Sequence, residues 1–365
     1  MNTKLRVLSV IIILLLLSGC YTSPITPVHD DSPIEEVSDT PQNGGKITLA
    51  SKTEIVLDPL RSRRADEKSP SNLVFDGLVR IDGEGKIKPC LAISWEISSE
   101  GRTYTFLLRE DVKWHDNELF SSADIISTFD RIMELRKQRP KPGEDPVFQE
   151  FDNVESYTAS DRNTFIVSLY KPDADFLFDM TQGIQPSPKE ILEGEDPEEA
   201  EANLQIIGTG PFKVADYTAD SVLLQKNEDY FANKPYIDEI AIKYYPEEYA
   251  AKEAFKRLEV DMVSIDPQDW GVFQNIQEAY LLQSPSRYFE FVALNLRNPL
   301  FADAKVRQAM LLAVDRERIL QDTFLGRGMV IDSPILPFSW AFNTQLEHAP
   351  FSPSAAADLL EEAGW

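Results

Sequence analysis

The sequence predicts a protein of the α/β class. Residues 237–265 read strand, helix, strand: IDEIAIKYY, then EEYAAKEAFKRL, then VDMVSI. That order is a βαβ unit, which places two strands in parallel with a helix crossing between them. Apolar residues make up 42% of the chain and aromatics 10%, enough for a packed body, and runs of period two that end in Gly-containing turns supply further strands.

In chain order, the first element is a leader. MNTKLRVLSVIIILLLLSGC carries Lys4 and Arg6 and then an apolar run from Val7 to Leu17. The run is shorter than the ~20 residues a membrane-spanning helix needs and fits a secretory leader. Leu17-Ser18-Gly19-Cys20 resembles the bacterial lipobox, in which cleavage precedes the Cys and its thiol takes a lipid. The expectation is a leader over 1–19, a lipid on Cys20, and a chain anchored to a membrane rather than spanning it. Residues 20–44 are rich in Pro, Ser, Thr and acids; such a stretch buries too little surface to offset its ordering entropy and reads as a flexible tether.

The body then opens with the strand GKITLA. PSNLVFDGLV reads as a helix starting at Pro70 and ending near Gly77. VRIDGEGKIKP is a hairpin around Asp82-Gly83 and Gly85, and ISWEISSEGRTYTFLLRE a second, with Tyr104, Phe106 and Leu108 on one face. KWHDNELF, residues 113–120, puts His115 before the turn residues Asp116-Asn117. A helix follows, with Ser121 or Ser122 as cap, Asp124 in its first turn, and Ile125, Phe129, Ile132 and Met133 as its apolar stripe. With no second His or Cys nearby, His115 is read as structural rather than catalytic or metal-binding.

RKQRPKPGEDPVFQEF is a loop, VESYTA and TFIVSLY are strands, and GEDPEEAEANL is an exposed acidic helix. IIGTGPFKVADY is a tight turn into a strand and not a phosphate loop, because no Lys-Ser/Thr follows its glycines. RYFEFVALNL reads as a long strand. DAKVRQAMLLAVDRERILQDTFLG reads as two helices with Asp315 capping the second, and PSAAADLLEEAGW as one more.

Composition narrows the function. A formal net charge of −25 argues against nucleic acid as a partner, since phosphate contacts need basic patches. The two cysteines, Cys20 and Cys90, form no disulfide framework. Three histidines, His29, His115 and His348, with one spare Cys cannot build a clustered zinc site. HExxH, GxSxG, Walker-type and EF-hand patterns do not occur. The expectation is a non-enzyme with no cofactor and no metal site.

Five segments in fixed order carry a resemblance: LAISWEISSEGRTYTFLLREDVKWHDNELFSSADIISTFDRI, GTGPFKV, KPYIDEIAIKYY, NPLFADAKVRQAMLLAVDRERIL and AADLLEEAGW. Together they resemble the bacterial extracellular solute-binding proteins of family 5, the oligopeptide, dipeptide and nickel receptors of ABC importers. The resemblance covers nearly all of 45–365. It implies a type II periplasmic-binding-protein-like fold of two α/β lobes, with an extra subdomain in the first. Residues 45–76 and 208–284 would form the first lobe, 77–207 the subdomain, and 285–365 the start of a second lobe. That second lobe is incomplete, since family members continue past the AGW helix.

The function implied is a monomeric, membrane-anchored extracytoplasmic receptor that captures peptides between its lobes and delivers them to an ABC importer permease. A nickel or sugar receptor, or a surface lipoprotein without a transport role or a non-functional remnant, are the alternatives. In peptide-binding relatives an extended ligand pairs with the segment after an Asp-Pro, here Arg63-Arg64-Ala65 after Asp58-Pro59. The two arginines suit acidic groups, or form an exposed basic loop. Phe148 and Phe151 line the cleft or belong to the subdomain core. The family's equivalent of KWHD stands at a structural turn, with Gly where this chain has Asn117.

Overall fold

The structure is a computed structural model that describes residues 40–60, 70–83, 85–137, 148–183, 206–277, 279–283, 289–337, 339, 341–346 and 348–365. From the N-terminal side the elements are β1 (Lys46–Ser51), α1 (Ser71–Val74), β2 (Val79–Ile81), β3 (Ile87–Pro89), β4 (Ala92–Ile97), β5 (Thr103–Leu108), α2 (Ser122–Lys137), β6 (Val154–Asp161), β7 (Thr164–Leu169) and α3 (Phe176–Gly183). There follow β8 (Phe212–Thr218), β9 (Ser221–Lys226), β10 (Glu239–Tyr244), α4 (Glu248–Lys256), α5 (Trp270–Phe273), α6 (Pro299–Ala302), α7 (Ala304–Ala313), α8 (Arg316–Phe324) and α9 (Pro353–Glu362).

The strands form two four-stranded sheets and the β2–β3 hairpin. One sheet has the order β1-β10-β9-β8, with β1 parallel to β10 and the other pairs antiparallel. The expected βαβ unit is here: β10 leads through α4 back to Met262, which bridges Leu49 in parallel on the far side of β1. VDMVSI is thus a single bridge and not a full strand. Its hydrogen bonds to the sheet are confined to Thr48 and Ala50.

The second sheet, β4-β5-β7-β6, is antiparallel throughout. Register sets Tyr104 opposite Val167 and Phe106 opposite Phe165, so alternate residues of β5 and β7 share one buried face. Phe129 of α2 packs on it, its ring 4.9 Å from that of Phe165 and 5.8 Å from that of Phe151. Each such buried aromatic contributes about 2–3 kcal/mol of transfer free energy. At the start of α2 the Asp124 carboxylate accepts from both the backbone N–H and the hydroxyl of Ser121.

Two apolar cores result. Ile55, Leu57, Val74, Phe75 and the inner residues of β8, β9 and β10 form one. Leu60, Leu78, Val79 and the residues of the second sheet with α2 and α3 form the other. The chain passes between them at Asp76-Gly77. For this reason the helix expected from Pro70 to near Gly77 stops at Val74. A helix would put Phe75 and Leu78 on one face, whereas they belong to different cores, and Phe75 is extended at φ −122° and ψ 142°.

The glycines of GTG hold this crossing. A Cβ on Gly208 would lie 1.8 Å from the Val74 carbonyl oxygen, and one on Gly210 would lie 2.5 Å from the Val74 carbonyl carbon. The close approach lets the Gly210 N–H donate to Val74 C=O at 2.8 Å. From the other side comes the turn at 113–119, where Asn117 is left-handed (φ 76°) and Asp116 accepts from the Glu118 N–H. His115 clasps the glycines three times. Its backbone N–H donates to Gly208 C=O (2.8 Å), its Nδ1 accepts from Gly208 N–H (3.1 Å), and its Nε2–H donates to Gly210 C=O (3.0 Å).

The remaining helices are joined by contacts of their own. α7 and α9 pack through Val306, Ala309 and Ala356, and Lys305 pairs with Glu362 at their edge (2.9 Å). Asp315 caps α8, its side chain accepting from the Arg318 N–H. The long strand expected at 287–296 is not formed in its described part, 289–296, where the chain has no ladder partner and Val292 is 82% exposed. Alternating apolar residues show which face can be buried, but a strand also needs a neighbour to bond.

Substitution at the crossing tests this account. Gly208→Ala should lower the stability of the chain by at least about 3 kcal/mol, because the backbone it meets cannot give way. Gly83→Ala, whose Cβ would meet nothing within 4 Å, should stay within about 0.5 kcal/mol. Urea unfolding midpoints measure both.

Candidate functional site

The residues singled out by sequence divide sharply. Cys20, Arg63, Arg64 and Ala65 lie outside the described residues. Phe148 and Phe151 are described and stand in the core, at 4% and 0% exposure. Phe151 meets Phe129 edge to face and Phe148 at 6.2 Å, so neither ring has a face open to a solute. Of the two places open to them from sequence, cleft or core, they occupy the core.

A buried polar cluster lies at the crossing between the two cores. The buried Asp76 carboxylate accepts from Tyr230 Oη (2.9 Å), Thr209 Oγ1 (3.3 Å) and Cys90 Sγ (3.6 Å). Burial pushes the Asp76 carboxyl up, while these donors and the charge of Arg80 hold it down. Burial and the neighbouring Asp76 push the Cys90 thiol up to about 12, so no thiolate nucleophile exists there at neutral pH. Asn227 closes the cluster by donating from Nδ2 to Gly210 C=O (3.0 Å). Asp76 and Cys90 lie more than a hundred residues from Thr209, Asn227 and Tyr230 in sequence, which is why sequence reasoning missed the cluster. Gly208 and Gly210 were the only visible sign.

His115 is chemically silent for the same reason. Its Nδ1 must be unprotonated to accept from Gly208, which leaves the proton on Nε2, already bonded to Gly210. Burial, with Lys213 adding to it, lowers the imidazole from 6.5 to about 4. Both ring nitrogens are engaged, so the ring offers neither a general base nor a metal ligand.

A second cluster joins Glu248, Asp266 and Asp269, whose oxygens lie within 4.8 Å of one another. The place of a cation is taken by Lys252, in short contact with Glu248 and Asp269 and 4.0 Å from Asp266. Lys52 adds a bond to Glu248 at 3.1 Å. Hydrogen bonding to Lys252 lowers the Glu248 carboxyl to about 2, and the Glu248 carboxylate pushes Asp266 up. The cluster ties α4 to the turn before α5. No helix among the described residues is long and apolar enough to cross a membrane.

The His115 clasp carries a pH signature. The folded imidazole sits near 4 and an unfolded one near 6.5, so the unfolded chain takes up its proton first as pH falls. The clasp's stability is therefore full above about pH 6.5 and declines as pH drops from there through 4, by about 2–3 kcal/mol for this half-buried group. His115→Gln, which has no proton to gain, should lack that part of the decline. Urea midpoints taken across this range on both proteins measure it, and equal slopes would contradict it.

Known proteins share this architecture. Residues 86–365 match the family described as bacterial extracellular solute-binding proteins, family 5 (Middle). The chain is 28% identical over 300 residues to the dipeptide-binding protein of Escherichia coli (strain K12), covering 77% of this chain and 56% of that one. It is 27% identical over 373 residues to the oligopeptide-binding protein AppA of Bacillus subtilis (strain 168), covering 100% and 67%. The solved structure of NikZ from Campylobacter jejuni in complex with Ni(L-His) superposes with a TM-score of 0.69 at 30% identity, over 87% of this chain and 63% of that one. The chain thus spans between 56% and 67% of the lengths of these relatives. Its α/β fold is that of the two-lobed periplasmic binding proteins. Motif order, fold and a match over residues 86–365 agree: this chain belongs to the bacterial extracellular solute-binding proteins of family 5.

Proposed function

We propose that the protein is an extracytoplasmic receptor, anchored by a lipid on Cys20, that captures peptides between two lobes and hands them to the permease of an ABC importer. The family match over residues 86–365 carries this reading. Peptides are favoured as solute because the relatives include a dipeptide-binding and an oligopeptide-binding protein. The chemistry of the described residues supports binding rather than turnover: His115 and Cys90 have no reactive form at neutral pH. In this reading 45–76 and 208–284 belong to the first lobe, 77–207 to its extra subdomain and 285–365 to the second lobe. The segment Arg63-Arg64-Ala65 pairs with the backbone of an extended peptide, an interaction that tolerates many side chains.

Nickel in chelated form is the second reading, favoured by the likeness to NikZ bound to Ni(L-His). Binding to the folded state alone raises stability by about 2.7 kcal/mol when ligand is at about 100 times its dissociation constant. Thermal melts of the full chain in detergent should therefore shift upward with a pooled tripeptide library and stay unchanged with Ni(L-His). A shift with the chelate alone would replace the first reading by the second.

A further inference from the structure

The connection between α8 and α9 covers residues 325–352, and its described residues form neither helix nor strand. Connections longer than about 12–15 residues without secondary structure of their own are uncommon in compact domains and usually carry a function. The ends of this one are tied to the helices. The Gly326 N–H donates to Leu320 C=O (3.1 Å) and the Ser352 N–H to Leu312 C=O (2.8 Å). Between these ties a single side chain gathers the two arms. Arg316, the first residue of α8, donates from Nη1 to Ile331 C=O (3.0 Å). From Nη2 it donates to Asp332 Oδ1 (2.8 Å) and to Ala349 C=O (2.9 Å).

The other oxygen of Asp332, Oδ2, accepts from His348 Nδ1 at 2.5 Å. A carboxylate acceptor fixes the tautomer: the neutral ring carries its proton on Nδ1, and the proton gained in acid goes to Nε2. The His348 side chain is 47% exposed, so water delivers that proton, whereas the Asp332 side chain is 15% exposed. Burial would raise the Asp332 carboxyl, but the bonds from Arg316 and His348 outweigh it and hold it below its ordinary value. Asp332 is therefore ionised throughout the range in which histidine changes charge. Among the described residues the charged groups on this carboxylate are Arg316 and His348, one on each oxygen. Arg316, a permanent cation, works against a second positive charge, but the His348 ring touches the carboxylate directly.

We propose that the 325–352 connection is a strap with a pH-sensitive latch, in which Asp332, held by Arg316 at any pH, grips the His348 arm more firmly once that histidine is protonated. The sign follows from the charges. A closed strap sets the imidazole on a carboxylate and an open one returns it to water, so the closed form takes up the proton more readily. The latch is tighter below the ordinary histidine range and looser above it. This is the reverse of the His115 clasp, which acid loosens, because His115 is buried against backbone groups while His348 faces a carboxylate.

Hydrogen exchange read by mass spectrometry on the full chain in detergent tests this. The reporters are peptides containing the Phe342, Leu346 and Ser352 amides, which bond within the strap or to α7. Rates at pH 5.5 and pH 7.5 are divided by those of the unfolded chain at the same pH. From the higher pH to the lower, protection should rise about two- to fivefold relative to His348→Gln, which keeps a donor for Asp332 but gains no proton. The His115 clasp acts equally in both proteins and cancels in that comparison. Asp332→Asn should remove the rise. An equal response in the unaltered chain and His348→Gln, or a rise that persists in Asp332→Asn, would overturn the latch. Protection lost in acid by the unaltered chain but not by His348→Gln would contradict its sign and overturn it as well.

Discussion

Between Val74–Asp76 and Gly208–Gly210 two main chains touch with no side chain between them, and the two cores meet there. The contact exists because both glycines lack a Cβ where one would strike the Val74 carbonyl. Val74 and Phe75 lie in one core, Leu78 and Val79 in the other, so the segment that the glycines grip belongs to both. His115 then reaches from the 113–119 turn and bonds both glycines. Asp76, Thr209 and Tyr230 bind the same crossing from its buried side. Moving any one of these backbones would leave buried polar groups unanswered, which costs more than the bonds gain when formed. The second sheet, with α2 and α3, is in this way held in a fixed relation to the sheet that carries the βαβ unit.

The two polar clusters described above are built from partners within the chain. At the crossing every donor meets an acceptor of the same chain, and the groups that look catalytic in sequence, a histidine beside an aspartate and a lone buried cysteine, are silenced by burial and bonding. The acidic cluster around Lys252 is likewise closed on itself.

What could be read from sequence follows the range of the interactions. Hairpins, the Asp116-Asn117 turn, the α2 cap and the Asp315 cap depend on residues within four positions and were legible. So was the βαβ unit, from periodicity alone. The helix read from Pro70 to near Gly77 was too long because these residues satisfy helical spacing locally, while two separate cores pull Phe75 and Leu78 apart. The strand at 289–296 was read from alternation that is real, but pairing is a property of two segments. For Phe148 and Phe151 sequence could not choose between cleft and core, since an aromatic near a loop suits either; burial decides it, with Phe151 against Phe129 and Phe148 against Phe151. Asp76 with Tyr230, and Trp270 with Arg327, join residues far apart in the chain, and no local pattern announces such pairs.

The central claim is that the glycine crossing and its His115 clasp make the two cores one cooperative unit. Native-state hydrogen exchange on the backbone amides of β5 and β7 in one sheet, and of β9 and β10 in the other, measures this directly. The account predicts that the slowest amides of both sheets open with the same free energy, and that His115→Gln lowers both together. Two distinct opening free energies, with the substitution changing only one or neither, would contradict it.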